Sequence, residues 1–277
     1  MGALLAVASA VSYGISDVIG GVAARTASFI RVALVGQLAG FGTMAVAALL
    51  LTPAPPTLTA VAWGAVSGAG TGAAMTFLFR GIARGAMSVV VPVSAVGGVA
   101  LPVLVGVALL GERPTVLAWV GIVLAVPALW WVSRGDGSGD GSGGVLDALL
   151  AGVGIAVQYL ALAQAGNDSG VWPVVAGRIS AVAAVAALFA VLRPPRQRDR
   201  QRRDIAAAGA GVLAALALVC YQLATRTELV TVAVVLSSLY PVIPMVLGVA
   251  LLAERLTWRQ LCGLGGAFAA TVLIATG

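Results

Sequence analysis

Long apolar runs, broken by Arg, Pro, Gly or acidic residues, divide the 277-residue chain into ten segments. They cover 3–24, 29–51, 58–80, 88–110, 115–133, 145–165, 170–192, 205–225, 230–252 and 257–276. Each approaches the roughly 20 apolar residues that an α-helix needs to cross a bilayer's hydrocarbon core. In lipid the backbone must satisfy its own polar groups, and a helix does so within one segment. The pattern therefore predicts an all-α membrane protein with ten transmembrane helices and short connections. The first segment lacks a basic leader, and polar residues interrupt its apolar run, so it reads as a membrane helix rather than a signal peptide.

One connection differs in composition from the rest. Residues 134–144 read Arg-Gly-Asp-Gly-Ser-Gly-Asp-Gly-Ser-Gly-Gly, a flexible linker. It separates five segments from five, giving a first unit at 1–134, a linker at 135–144 and a second unit at 145–277. Sliding 101–113 (LPVLVGVALLGER) over 243–255 (IPMVLGVALLAER) matches eight of thirteen residues without a gap. At the same offset Arg84 falls on Arg226 and Gly121 on Gly263, and near the starts Ala3–Ala6 matches Ala148–Ala151. The chain thus reads as two copies of a five-helix unit. Five crossings bring the second copy into the membrane from the opposite side, so the halves are two inverted five-helix repeats. Such repeats are the architecture of many secondary transporters, which hold their solute near the midplane between the copies.

Composition narrows the chemistry. The chain is 60% hydrophobic and 9% charged, against about 25% charged in ordinary soluble domains. All 16 basic residues are Arg, with no Lys and no His, so His bases, His metal ligands and Schiff-base lysines are excluded. Neither a metal site nor a cofactor is expected. The net charge of +6 does not indicate a nucleic-acid partner, because six Arg lie in one connection, Arg193 to Arg203. Cys220 and Cys262 fall inside apolar runs and read as packing residues.

Polar residues inside the spans are costly, about 2.5–3.5 kcal/mol for a charge at the helix centre, and so are candidates for function. Ser9, Ser12, Tyr13, Ser16 and Asp17 recur at helical spacing along one face of the first span. That face lines either a packed interface or a wet cavity. Asp17 is a candidate for a proton or a cationic group, or else, being close to Arg25 and the span's end, snorkels to the interface or pairs with an Arg. Span six places Gln158 and Tyr159 level with Tyr13 and Gly14 of span one. Span nine adds Ser237, Ser238 and Tyr240 before Pro241, which is expected to free the Ser237 carbonyl. Each of these hydroxyls either lines the cavity or bonds a neighbouring helix. Arg178 is either an anion-binding group or, like Arg31, a structural partner. Gly64, Gly68 and Gly72 form a stripe suited to close helix contact, along which bundles can rock.

Gly111-Glu112-Arg113 and Ala253-Glu254-Arg255 end spans four and nine, and a Gly-bearing span follows each. On these turns, the duplicated five-span plan, Arg31 and Arg178, Tyr13-Gly14 and Pro241, nearly the whole chain resembles the EamA-type drug/metabolite transporters. Val99 stands where the second half has Pro241, and the prolines shared by both halves are Pro102 and Pro244. The resemblance implies alternating-access export or import of small metabolites, amino acids or drugs without ATP, export being favoured. It also implies a multi-pass protein of the plasma membrane. The Glu-Arg pairs read as interfacial groups that cap backbone. Protons are the candidate coupling ion.

Orientation is open on two counts. The odd-numbered connections hold twelve Arg and the even-numbered two, Arg113 and Arg226. By the positive-inside rule both termini are outside. The resemblance implies both inside. Two other classes fit the pattern less well. A lipid-modifying enzyme needs clustered acids, His or Lys, which the spans lack. A non-transporting scaffold or lipid-interacting protein has no use for polar faces on matching helices of both halves.

Overall fold

The computed structural model describes residues 2–51, 55–110, 113–133, 141–165, 170–194, 200–227, 236–237, 239–254 and 256–276. Among them ten helices follow in order: α1 (Gly2–Thr26), α2 (Phe29–Leu51), α3 (Leu58–Arg84), α4 (Met87–Leu110), α5 (Val116–Ser133), α6 (Gly141–Gln164), α7 (Trp172–Leu192), α8 (Arg200–Thr227), α9 (Val242–Leu252) and α10 (Trp258–Thr276). Seven of these, α1, α2, α4, α6, α7, α8 and α10, contain a stretch long and apolar enough to cross a membrane. The other three depart for separate reasons. α3 is rich in Gly, Ala, Ser and Thr, small residues that let it pack closely against α6 and α7. α5 has 18 residues with Pro127 inside, and α9 has 11.

Several boundaries differ from the sequence expectation. α3 continues to Arg84, which puts Arg80 and Arg84 on its last turns rather than in a connection. α6 starts at Gly141, inside the expected linker, and α8 at Arg200. The uninterrupted helix expected over 230–252 is not found: Leu239–Pro241 form a turn and α9 begins after Pro241. Proline cannot donate to a preceding turn, and its ring clashes with the carbonyl four residues back. The Ser237 carbonyl, expected to be free, accepts the Tyr240 amide at 3.3 Å.

Polar contacts gather one set of helix ends at a single face. Arg25, late in α1, donates to the carbonyls of Ile82 and Gly85 at the end of α3, at 3.2 and 3.1 Å. Arg31, early in α2, grips Asp204, early in α8, through two bonds of 2.7 and 2.6 Å. Arg80 and Arg84 meet Asp147, near the start of α6. Glu254, just past α9, accepts the amides that open α4. Hence α1, α3 and α9 end at this face, whereas α2, α4, α6 and α8 begin there. α1 runs opposite to α6, α3 opposite to α8 and α4 opposite to α9. These are the pairs that the sequence repeat equates.

The glycine stripe of α3 lies against α7. A Cβ at Gly64 would come within 2.3 Å of the Pro173 carbonyl oxygen, and one at Gly68 within 1.8 Å of the Gly177 oxygen. The two backbones touch, which only residues without a side chain allow. Gly36 of α2 and Gly211 of α8 repeat the device: a Cβ at Gly211 would stand 2.0 Å from the Gly36 oxygen. Contacts between the halves are therefore made largely by backbone, with small residues at the crossings.

Candidate solute-binding cleft

α1 carries its polar face inward. Ser9, Ser16 and Asp17 are buried, and Ser12 and Tyr13 are half-buried. Their roles divide. The Ser16 hydroxyl donates to the Ala210 carbonyl of α8 at 2.8 Å and ties the two helices together. Ser9 Oγ is enclosed without a hydrogen-bond partner among the described residues. Tyr13 faces Tyr240 with ring centroids 5.9 Å apart, and Gly14 makes room for this approach, since a Cβ there would stand 2.9 Å from the Tyr240 carbonyl oxygen. Asp17, one turn further along the same face, is 6% exposed and takes part in no hydrogen bond or ion pair among the described residues. Arg25, the nearest Arg in sequence, reaches Glu254 rather than Asp17.

Tyr159 on α6 completes the group. It is 49% accessible, yet it lies within electrostatic reach of Tyr13 on α1, Tyr221 on α8 and Tyr240 ahead of α9. Accessible and yet near groups from three other elements, Tyr159 is a candidate to line a cleft. The packing agrees: α6 lies along α3 and α4, and α8 along α1 and α2, with no comparable packing of α6 on α1 or α8. The candidate cleft lies between these two packed groups of helices.

Arg178 reaches the same region from α7. It is 7% exposed, and its guanidinium donates to Gln37 Oε1 of α2 at 2.8 Å, a neutral partner. Tyr13 is close enough to interact with both Arg178 and Asp17. Beside Arg178 is a cavity of about 20 Å³ bordered by Ser67, Thr71, Gln158 and Gly177. That is room for about one water-sized group. The Gln158 backbone carbonyl accepts the Ser67 hydroxyl at 2.9 Å, so this wall is fixed by an α3–α6 bond. Two larger cavities lie elsewhere: one of about 360 Å³ among α4, α9 and α10, and one of about 660 Å³ among α2, α3 and α7, which takes in Ser28, Arg80 and Arg84 at the face of the ion pairs.

The remaining expected residues that the structure describes have other partners or positions. Arg31 serves Asp204, so it does not share the surroundings of Arg178. Ser237 lies near the start of α1, its hydroxyl 3.4 Å from the Ala6 carbonyl. Pro102 is inside α4, Pro241 caps α9 and Pro244 is buried within it. Arg113 is exposed between α4 and α5. Ser238, Glu112 and Arg255 lie outside the described residues. Glu254 does cap backbone, but in another helix: its carboxylate accepts the amides of Met87 and Ser88 at 2.9 Å each, and pairs with Arg25. Burial pushes the Glu254 carboxyl up; hydrogen bonds from Ser88, the Met87 amide and Arg25 outweigh this and hold it below the usual glutamate range. Sequence reasoning missed Gln37 and Asp147, although Gln37 is the one amide side chain in the second span and Asp147 the one acid in the sixth.

Stacked apolar helices with charged and phenolic groups turned inward define an integral, multi-pass membrane protein. A family model described as "EamA-like transporter family" matches residues 1–134 and again 142–276. The chain belongs to the EamA-like transporter family, a family of membrane transporters rather than enzymes. No curated protein matches the chain. A solved crystal structure superposes with a TM-score of 0.62 over 98% of this chain and 96% of its own, at 18% identity. A likeness at that identity speaks for the fold alone.

Proposed function

We propose that the protein is a secondary transporter that carries small organic solutes across the plasma membrane by alternating access, in the direction of export. Ten crossings in two inverted repeats, 1–134 and 145–277, form its frame. The opposite directions of α1 and α6, α3 and α8, and α4 and α9 support this frame. The observation that carries the functional reading is the group at the cleft. Asp17 and Arg178 are buried without an ion-pair partner among the described residues, beside three tyrosines from different elements. A scaffold or lipid-binding protein would bear the cost of burying such groups, several kcal/mol for each ion, without return. In a carrier they are the binding site.

Every ion pair between described residues lies at one face, the face with more Arg in its connections. This conformation is therefore read as closed there and accessible from the other side, towards which Tyr159 and Tyr221 lie. A solute drives the cycle only through a difference in affinity between the two states. Asp17 is the residue proposed to exchange a proton for solute, with Tyr13 on its own helix and Tyr240 across the cleft as the ionisable groups that face it. The test is counterflow in vesicles holding the purified protein and a panel of amino acids, amines and organic acids. Exchange is expected for at least one solute, and its pH dependence is expected to vanish in Asp17→Asn. No exchange of any solute would contradict the transporter reading, and unchanged pH dependence would remove Asp17 from coupling.

A further inference from the structure

We propose that the groove among α2, α3 and α7 is a binding site for an anionic phospholipid, with an acyl chain along α3 and the phosphate on Arg84 and Arg80. The inference goes beyond the solute cleft and does not depend on it, because it needs only that the helices cross a bilayer. The groove measures about 660 Å³, within the roughly 300–1,000 Å³ of pockets that bury small molecules. Ala69, Ala73, Phe77, Arg80 and Arg84 line it from α3, each three or four residues from the next, and so follow one face of that helix. From Arg84 to Ala69 this face runs about 22 Å at 1.5 Å per residue, more than the ~15 Å of hydrocarbon in one leaflet. Ala184, Leu188 and Leu192 form the wall from α7, and all three are exposed. On a helix that crosses the membrane, open apolar side chains meet acyl chains.

The two ends of the groove differ in character. At the face of the ion pairs, Arg80 and Arg84 share one carboxylate, Asp147 of α6, which is 1% exposed. Arg80 holds its Oδ1 through Nε at 2.9 Å and again through Nη2, whereas Arg84 reaches Oδ2 only at 3.5 Å and its side chain is 56% exposed. Two guanidiniums on one carboxylate leave a net positive charge at the mouth, and the loosely held Arg84 has donors to spare for a phosphate. Arg193, also exposed, stands in the chain between Leu192 and Pro194, which both line the groove. Ser28, Phe29 and Ile30 bring the start of α2, the positive end of its dipole, to the same mouth. The Arg80 guanidinium lies over the Phe77 ring, 4.7 Å from its centre, where the charged end passes into the apolar one. Beyond it Ala69, Ala73 and Ala184 offer only hydrocarbon. Basic pockets between spanning helices suit anionic headgroups in this way. A neutral lipid would cover the walls but leave the excess charge unanswered, and a free phosphate would do the reverse.

The test is a titration of the purified, delipidated full-length protein with phosphatidylglycerol and with phosphatidylcholine of the same acyl chains, read as bound lipid in mass spectra of the intact complex. Phosphatidylglycerol is expected to bind about tenfold more tightly, and Arg84→Gln to weaken it about fivefold while hardly changing phosphatidylcholine. Arg84→Lys keeps the charge and is expected to keep most of the preference, which guards against a variant that merely misfolds. Arg113→Gln removes the same charge after α4, a helix that begins at the face of the ion pairs and ends at the other, and is expected to leave the preference intact. Ala184→Phe fills the groove without touching a charge and is expected to weaken both lipids. Glycerol phosphate, which has the anion but no chains, is expected not to displace the lipid. The proposal is overturned if the two lipids bind equally, if Arg113→Gln costs as much as Arg84→Gln, if Ala184→Phe leaves both lipids bound as before, or if glycerol phosphate competes. None of these results bears on solute exchange in the counterflow experiment, so the lipid site and the transporter reading stand or fall separately.

Discussion

Replacing Glu254 by Ala removes one carboxylate that serves four elements at once. Its side chain is 7% exposed and accepts the Met87 and Ser88 amides, which α4 itself cannot satisfy at its first turn. It also neutralises Arg25, which is 26% exposed and stays bonded to the Ile82 and Gly85 carbonyls. Loss of a helix cap costs about 1 kcal/mol. Breaking a buried ion pair costs about 3–5 kcal/mol, and the partial exposure of Arg25 discounts this. Together the expected loss is about 3 kcal/mol. Glu254→Gln keeps the shape and one acceptor but turns an NH2 towards a donor, for an expected loss of about 1.5 kcal/mol. Denaturant unfolding in detergent measures both. The pH dependence has a definite sign. The folded-state pKa lies below the ordinary glutamate value, so the stabilisation is complete above that value, about 4.3, and fades as pH falls through the lowered one. The gap between wild type and Glu254→Gln should therefore narrow in acid. An Ala variant within 0.5 kcal/mol of wild type, or a gap that widens in acid, would refute the assignment.

Other outcomes follow from the same contacts. Gly68→Ala places a Cβ 1.8 Å from the Gly177 oxygen and must force α3 from α7, at a cost of about 1–3 kcal/mol or more, while Gly42→Ala meets nothing within 4 Å and should be neutral or slightly stabilising. Unfolding midpoints of the two variants give the comparison, and equal effects would deny the close crossing. Ala253 adopts φ 52° in the turn after α9, where the first half has Gly111, so Ala253→Gly should stabilise the protein by about 1 kcal/mol, as read by denaturant unfolding. A loss of stability there would mean that the left-handed turn is not formed. Gln37→Leu should remove the acceptor that Arg178 holds across α2 and α7 and slow solute counterflow more than it lowers the unfolding midpoint; the reverse order would make Gln37 purely structural.

Much of the helical frame was legible because an apolar run has one stable solution in lipid. The inner helix α3 shows the limit, since its glycines marked a contact but not its partner, α7. Span nine read as continuous because Pro241 sits inside an apolar run, and only its packing shows that the chain turns there. Arg80 and Arg84 read as a connection because a guanidinium repels lipid, yet Asp147, sixty-odd residues away, makes their place on α3 tolerable. Tyr13, Asp17 and Tyr159 were legible as polar groups on inward faces. The pairing of Arg178 with Gln37, and of Arg25 with Glu254, was not, because each joins residues more than a hundred positions apart.

In the proposed carrier, water reaches a cleft among α1, α6, α8 and the segment ahead of α9. Tyr159 and Val153 are on the same helix and each 49% exposed, but they point about 120° apart at 100° per residue. Each is replaced by Cys in a background with Cys220 and Cys262 changed to Ser, and the protein in vesicles is treated with a charged, membrane-impermeant maleimide. Rapid labelling of Tyr159→Cys is expected from the face opposite the ion pairs, and little labelling of Val153→Cys from either side. Equal rates at the two positions, or no reaction at Tyr159→Cys, would contradict it.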